Sequence, residues 1–311
     1  MIDFSFTITP TLKKEIEKID ETRNKILIQL LSRAEELELR WESNLDRITY
    51  SSRLTPKKFT KAETLSVLNP IKTDGEYKMS KSEIKSYVNC YEWINQKWLM
   101  SKEKVKEDDI KKVIAFFPHK VNTKDTNIKQ ILDFVQINPE HPIVQSALVF
   151  ALFYLSLPKD SDNIKLSFII SYIFLYKYGY DLRGLLNLEE FFSNDLDHFR
   201  NLINEGAANR NLSSYLEYFT QGVSISSEHA LRKILNGERR HDLPASFYEL
   251  SDRQREILML FEKPGAKVSN KTVQKAFEVS QITASRDLAK LYALGLIFSA
   301  GKGRSVYYTR I

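Results

Sequence analysis

Hydrophobic residues recur along most of this chain at intervals of three and four positions, the spacing of one face of an α-helix. The first such stripe consists of Leu12, Ile16, Ile19, Ile26 and Leu30. Lysines and glutamates fill the other face, and Thr9 followed by Pro10 is typical of a helix start, with Thr9 as the N-cap. This stripe predicts a first helix that breaks and restarts before Trp41.

Two later stretches, residues 142–157 and 166–176, are apolar on every side. A helix of this kind is either a core helix or a membrane span. Each run falls short of the ~20 residues that a bilayer demands, and the connection over 158–165 holds two acids and two lysines. The two stretches therefore predict a buried helical hairpin at the centre of a protein that does not enter a membrane.

Helical spacing continues before and after this hairpin. Further helices are predicted over residues 80–100, 109–117, 128–135, 188–203, 211–223 and 227–236. The aromatic residues in these segments recur at helical intervals, so they are expected in the core and not on a base-stacking platform. His141, which precedes Pro142 at a helix start, is expected to be structural and not catalytic.

The last 61 residues have a different pattern. Three helices are predicted over 252–261, 271–278 and 281–294, and two strands over 296–299 and 305–309. Ser251 and Gln254 form a capping box, Asn270 and Ser280 are expected to cap the second and third helices, and Gly295 ends the third. Three helices, a tight connection and a hairpin with a basic tip predict a winged helix-turn-helix.

The net positive charge of the chain arises from this C-terminal segment. Residues 251–311 hold 11 Lys or Arg and 5 Asp or Glu, giving 11 − 5 = +6, which equals the net charge of the whole 311-residue chain. Such asymmetry favours a polyanionic partner. The single cysteine, Cys90, excludes an intramolecular disulfide, and no metal site or signal peptide is recognised, so a cytoplasmic protein is expected.

Helical geometry selects the residues of the third C-terminal helix that can contact duplex DNA. At about 100° per residue, Ala284, Leu288 and Leu291 share the inner face. The predicted DNA contacts on this helix and on the hairpin tip are Gln281, Ile282, Thr283, Ser285, Arg286, Ala289, Lys290, Lys302 and Arg304. The alternative is a winged helix that contacts only proteins; the net charge and the basic tip favour nucleic acid.

The connection between the two core helices resembles the loop of Fic (Fido) AMP-transferases, whose pattern HPFx(D/E)GNGR joins two core helices. The residues that align with the defined positions of this pattern are Leu157, Pro158, Ser161, Asp162, Asn163, Ile164 and Lys165. Only the proline and the asparagine of the pattern are kept. Residues 301–308 are also similar to the wing attached to many Fic proteins.

The substitutions in this loop remove the groups that the family uses for its chemistry. Leu157 stands at the histidine base and cannot take a proton. Ser161 stands at the metal-binding acid and is a poorer magnesium ligand. Asp162 and Ile164 replace two glycines, and Lys165 replaces the arginine and its bidentate fork. The resemblance implies a Fic fold whose transferase site is inactive and needs no cofactor.

Residues 51–63 resemble the segment SSxIEGNxLTxxE of many Fic proteins, in which the glutamate folds onto the active-site arginine and inhibits it. Ser52 aligns with a serine of this pattern, whereas Thr55 stands at the glutamate and Pro56 at the glycine. The family's β-hairpin flap, which docks the target, would have only residues 119–126 available. The inhibitory segment and the flap are thus degenerate as well.

These features predict a mainly α protein with four parts. They are an N-terminal Fic-associated helical region (1–70), a degenerate Fic helical domain (71–237), a linker (238–250) and a winged helix-turn-helix (251–311). The predicted function is a DNA-binding transcriptional regulator, expected to be a homodimer, whose Fic-like domain serves dimerisation or effector sensing. The alternatives are an active adenylyltransferase with a relocated base, or a sensor that binds ATP through Asn163 and Lys165 without transfer.

Overall fold

The fold was obtained as a computed structural model. It describes residues 4–55, 59–68, 78–117, 123, 126–137, 140–158, 163–236, 249–261, 266–294, 296–300 and 306–309. Predictions for Pro56, Ser161, Asp162, Gly295, Lys302 and Arg304, and for the linker over 238–248, lie outside these residues.

The part of the chain that the structure describes is mainly helical. The α-helices are α1 Pro10–Leu27, α2 Arg33–Ser51, α3 Lys61–Leu68, α4 Lys78–Trp98, α5 Glu107–Ala115, α6 Ile128–Ile137, α7 Pro142–Ser156, α8 Asn163–Lys177, α9 Leu188–Asn194, α10 Leu196–Ala208, α11 Ser213–Asn236, α12 Asp252–Met259, α13 Asn270–Phe277 and α14 Gln281–Ala293. A 3-10 helix, Ser52–Leu54, follows α2, and two short strands, β1 Phe298–Ala300 and β2 Tyr307–Thr309, follow α14.

The predicted start of α1 and the break before Trp41 are confirmed. Thr9 caps α1 through its side-chain oxygen, which accepts a hydrogen bond from the Leu12 amide at 3.2 Å. The chain leaves the helix after Leu27 and begins α2 with a capping box, in which the Ser32 hydroxyl and the Glu35 carboxylate each bond the other's backbone amide. Two reciprocal bonds of this kind fix where a helix begins.

One prediction of helix continuity was wrong, and one stretch with helical spacing forms two helices. Residues 211–223 and 227–236, predicted as separate helices, belong to the single helix α11, because the Ser227 hydroxyl donates to the Val223 carbonyl at 2.7 Å and stays within the helix. Residues 188–203 are divided between α9 and α10. The carboxylate of Asp195 accepts a hydrogen bond from the His198 amide at 3.2 Å and thereby starts α10.

The central hairpin of α7 and α8 is confirmed. Every residue of α8 is buried, and α7 is buried from Ile143 to Phe153. Helices α4, α6 and α11 pack around this pair, and α1 lies along α11, so that one hydrophobic cluster runs through the helical body. None of the helices that the structure describes has both the length and the apolar character of a membrane-crossing segment.

The C-terminal residues form a second, smaller cluster. It consists of Ile257, Leu258, Phe261, Val268, Val273, Ala284, Leu288, Leu291 and Ile297. Strands β1 and β2 are antiparallel, and Val268 pairs with Tyr308 as an additional bridge. The order of three helices and a hairpin agrees with the prediction, although the strands begin two residues later than expected.

Two local predictions in this segment were wrong. The N-cap of α13 is Ser269 and not Asn270: the Ser269 hydroxyl accepts from the Thr272 amide at 3.1 Å. The Asn270 side chain is directed toward α14, where its amide donates to the Ser285 hydroxyl at 2.8 Å. Helix α13 thus begins and ends one residue earlier than predicted.

Candidate functional site

The outward side of α14 forms the first candidate site. The outer face of α14 is defined here by Gln281, Ile282, Ser285, Arg286 and Ala289, which together line one shallow depression. Ile282 is 64% exposed, although it is a large apolar residue on a helix that packs against a core. Ser285 and Arg286 are also exposed, and Ala289 is half-buried.

The position of this face follows from what anchors α14. The inner residues Ala284, Leu288 and Leu291 are each 0% exposed, so the predicted inner face is confirmed. At its start, the Ser280 hydroxyl accepts a hydrogen bond from the Thr283 amide at 3.2 Å. The preceding turn is tight because Glu278 has the left-handed backbone conformation, with φ of 52°. The buried inner residues and the capped start hold α14 in place, and its outer face is exposed to solvent.

A hydrogen bond fixes the outer face relative to α13. The Asn270 amide donates to the Ser285 hydroxyl at 2.8 Å and to the Gln281 carbonyl at 3.3 Å. A hydroxyl that accepts one bond keeps its own proton as a donor. Ser285 is therefore held in place while its donor remains available.

The charged and polar residues predicted to contact phosphate differ in their surroundings. Arg286 is exposed and makes no ion pair with any residue that the structure describes. The Lys290 ammonium donates to the Glu249 carbonyl, and burial lowers its pKa, so this lysine also serves an internal contact. Thr283 is half-buried with its hydroxyl 3.0 Å from that of Ser280.

A buried polar cluster behind α14 escaped the sequence-based reasoning. Asp287 is 4% exposed; its carboxylate accepts hydrogen bonds from Arg253 Nε at 2.7 Å and from Gln254 Nε2 at 2.8 Å. These bonds attach α12 to α14. The helical angle could have indicated this contact, because position 287 lies between the buried positions 284, 288 and 291.

The described residues on either side of the loop that resembles the Fic pattern are buried or half-buried. Leu157 ends α7, donates its amide to the Phe153 carbonyl at 2.8 Å and is 3% exposed. Pro158 is half-buried, whereas Asn163 and Ile164 are buried at the start of α8. Ile164, at 1% exposure, belongs to the core and is not part of an open backbone cradle.

Lys165, which aligns with the family's arginine, has a partner that the sequence did not indicate. Its ammonium lies 2.6 Å from Oε1 of Glu83 on α4, and the two residues are 3% and 7% exposed. The ammonium also lies 5.8 Å from the centre of the Tyr87 ring. A buried ammonium requires such an opposite charge to offset its lost hydration.

The described residues of the segment that resembles the inhibitory pattern are hydrogen-bonded and buried. The Ser52 hydroxyl donates to the Thr49 carbonyl at 2.7 Å and accepts from the Phe59 amide at 2.9 Å. Thr55 is 6% exposed. His141 caps α7: its Nδ1 accepts from the Ile143 amide at 3.3 Å, and its Nε2 lies 3.0 Å from the Tyr180 hydroxyl.

A second buried network joins α2, α4, α8 and α9. Arg47 is 1% exposed and donates to the Leu186 carbonyl at 2.6 Å, with its guanidinium over the rings of Tyr91 and Tyr172. Both tyrosine hydroxyls donate to Glu189, at 2.6 and 2.7 Å. The pairing of residues about 140 positions apart leaves no local signal in a sequence. Most polar atoms of the network are hydrogen-bonded, but the buried Nε of Arg47 has no partner among the described residues.

Comparison with known proteins gives a match among the solved structures. No protein-family model matches this sequence, and no curated protein is significantly similar to it. The crystal structure of a Fic family protein from Desulfovibrio desulfuricans G20 superposes with a TM-score of 0.60 and 14% identity, covering 98% of this chain and 97% of that chain. The chain therefore has the fold of that Fic family protein over almost its whole length.

Proposed function

We propose that this protein is a DNA-binding regulator of transcription, in which residues 251–311 act as a winged helix-turn-helix and α14 enters the major groove. The observation that carries this proposal is the outer face of α14, which combines an exposed arginine, a positioned hydroxyl donor and an exposed apolar side chain around Ala289. The same chemistry suggests the cytoplasm as the place of action.

Each residue of this face suits a feature of the major groove. The Arg286 guanidinium matches the two acceptors of a guanine edge, and Ser285 can donate to either a base or a phosphate. Ile282, which is 64% exposed, would bury its apolar side chain against a thymine methyl group in the complex. Ala289 is small enough to let the helix approach the bases closely.

Positive charge around α14 supplies the sequence-independent part of the proposed binding. Lys271 and Lys275, one turn apart on α13, are exposed, and α13 would cross the DNA backbone as the first helix of the motif. Lys302 and Arg304 of the hairpin tip, together with Thr283, complete the proposed phosphate contacts. Binding through several phosphates makes affinity fall steeply as salt rises.

The helical body is proposed to have lost transferase activity. Leu157 offers no proton acceptor, and it is packed into the core at 3% exposure. The one cation retained at the family's arginine position, Lys165, is bonded to Glu83 at 2.6 Å. A nucleotide phosphate would have to compete with that carboxylate in a buried setting, which weighs against residual ATP binding and against transfer.

The proposed assembly is a homodimer. Helix-turn-helix proteins bind two half-sites about one helical turn apart, and a two-fold protein matches a palindromic site. In this arrangement the helical body would hold two copies of α14 at a fixed spacing.

The proposal is tested by the affinity of the full-length protein for the DNA upstream of its own gene, measured by electrophoretic mobility shift. Arg286→Ala is compared with Arg255→Ala, which removes the same charge from α12, where Arg255 is paired with Asp252 at 3.2 Å. We expect Arg286→Ala to lose binding and Arg255→Ala to keep it. Equal binding by wild type and Arg286→Ala would refute the assignment of α14.

A further inference from the structure

A cavity lies where the C-terminal segment meets the helical body. Its volume is about 80 Å³. One wall comes from α14 and β1, through Ala293, Leu294 and Phe298, and the opposite walls come from α2 and α4. The space holds roughly five to eight water molecules and so suits a compact organic molecule of about that many non-hydrogen atoms.

The cavity combines an apolar side with hydrogen-bond acceptors. Ile48, Val88, Leu294 and Phe298 provide the apolar side, and the carboxylates come from Glu92 and Asp181. Such a mixture of hydrophobic walls and a few polar groups is typical of sites for small molecules.

Glu92 is incompletely paired. Its Oε2 is buried and has no hydrogen-bond partner among the residues that the structure describes. Burial raises the pKa of Glu92 to about 8, and the neighbouring Tyr292 hydroxyl opposes this only in part. Burial also raises the pKa of Asp181, which is 5% exposed and accepts one bond from the Gly184 amide at 2.9 Å.

The only cationic side chain lining the cavity among the described residues is already engaged. The Arg40 guanidinium bonds Glu36 at 2.9 Å through Nη2 and the Arg183 carbonyl at 2.9 Å through Nε. Its charge is thus shared with Glu36. Asp181 is already stabilised by the charges of Arg40 and Arg47, whereas the buried Oε2 of Glu92 has no partner among the described residues.

We propose that this cavity is the effector site of the regulator, and that it binds a small organic cation with a protonated primary amine on a compact apolar body. The ammonium would displace the proton of Glu92 and pair with the resulting carboxylate beside Asp181, while the alkyl part would contact Val88 and Leu294. This inference rests on the proposed DNA-binding function for its regulatory role, though not for the binding itself.

The position of the cavity would couple ligand binding to DNA binding by α14. Its α14 wall, Ala293 and Leu294, is the end of the helix whose start carries Gln281 and Ile282. Tyr292 connects the same end to α4 through a hydrogen bond to Asn89 Oδ1 at 3.2 Å. A ligand seated between α4 and α14 would change how α14 is held, and any change in DNA affinity must be matched by an equal change in ligand affinity.

The test uses the full-length protein and n-butylammonium chloride, with 1-butanol plus equal potassium chloride as the neutral isostere. Thermal unfolding is followed for wild type, for Glu92→Gln, and for Glu103→Gln, which alters an exposed carboxylate of the same body. We expect butylammonium to raise the Tm of wild type and Glu103→Gln by roughly 2–5 °C at saturating concentration. Glu92→Gln should show no rise, and 1-butanol should have no effect on any of the three.

A second variant keeps the test decisive if Glu92→Gln does not fold. Ala293→Leu fills the cavity from the α14 side and should also abolish the rise. Equal stabilisation of wild type and both variants, or equal effects of amine and alcohol, would overturn the proposal.

Binding of a labelled duplex, measured with and without butylammonium, separates the effector site from the proposed function. A shift in DNA affinity in wild type, absent in Glu92→Gln, supports both. DNA binding without any response of the Tm to the amine overturns the effector site alone. A Tm response in a protein that binds no duplex overturns the regulatory function and its coupling, while supporting the cavity as an amine site.

Discussion

The ammonium of Lys165 lies 2.6 Å from the carboxylate of Glu83, in the interior of the helical body. Removing one member of a buried ion pair leaves the other charge without compensation, which costs about 3–5 kcal/mol. We therefore expect Lys165→Met to lower the free energy of unfolding by that amount at neutral pH, as measured by urea denaturation monitored by circular dichroism.

The double variant Lys165→Met with Glu83→Gln is the control for this prediction. It removes both charges, so most of the lost stability should return. If Lys165→Met is as stable as wild type, the pair does not hold the start of α8, and Lys165 would be available to a phosphate.

Asp287 is the residue through which α12 holds α14. Asp287→Ala leaves Gln254 and Arg253 without their acceptor, and the loss of buried hydrogen bonds predicts a destabilisation of about 1–3 kcal/mol. Asp252→Ala, at an exposed carboxylate at the start of α12, should cost less than ~1 kcal/mol. Denaturant unfolding compares them; similar losses for the two variants would contradict a structural role for the cluster.

Glu92 predicts a specific dependence of stability on pH. Its pKa is raised by burial from 4.5 to about 8 in the folded protein, so between these values the folded state holds a proton that the unfolded state has released. Stability contributed by this group is thus lost as pH rises through that window. Glu92→Gln should increase the Tm more at pH 8 than at pH 5, whereas Glu103→Gln should not.

An increase in Tm for Glu92→Gln that does not change with pH would contradict this account of the buried carboxylate. The measurement requires only scanning calorimetry of the two variants and wild type across that range.

Ile282 tests base readout separately from phosphate contact. If its side chain covers a thymine methyl group, Ile282→Ser should weaken specific DNA binding by about 1 kcal/mol or more and relax the preference for thymine at one position. Binding to unrelated duplexes and the salt dependence should not change. A uniform loss across all sequences would instead place Ile282 in the fold of the module.

Local patterns in the sequence were sufficient for much of the fold. The apolar runs around residues 142–176 predicted the central pair of helices, and the capping residues Thr9 and Ser280 placed the starts of α1 and α14. The predicted helix boundaries were wrong where a side chain bonds a residue of another helix. Asn270 bonds Ser285 of α14, and Ser269 caps α13. Such choices depend on distant residues and have no periodic signal.

The candidate sites were predictable to different degrees. The outer face of α14 follows from helical angles alone, because the buried Ala284, Leu288 and Leu291 fix its opposite side. The partner of Lys165 and the cavity beside Glu92 could not be predicted. Residues 82 positions apart meet in the first case, and beside the cavity Asn89 meets Tyr292, 203 positions away. Tertiary packing determines both.

The central claim is that α14 binds in the major groove of duplex DNA. Its most direct test is the affinity of full-length wild type and of Arg286→Ala for the region upstream of the gene, measured at a series of salt concentrations. We predict tight wild-type binding that falls linearly in log–log form as salt rises, and a loss of roughly 10- to 100-fold in Arg286→Ala at fixed salt. Wild-type affinity that is independent of salt, or identical in the two proteins, would contradict the account.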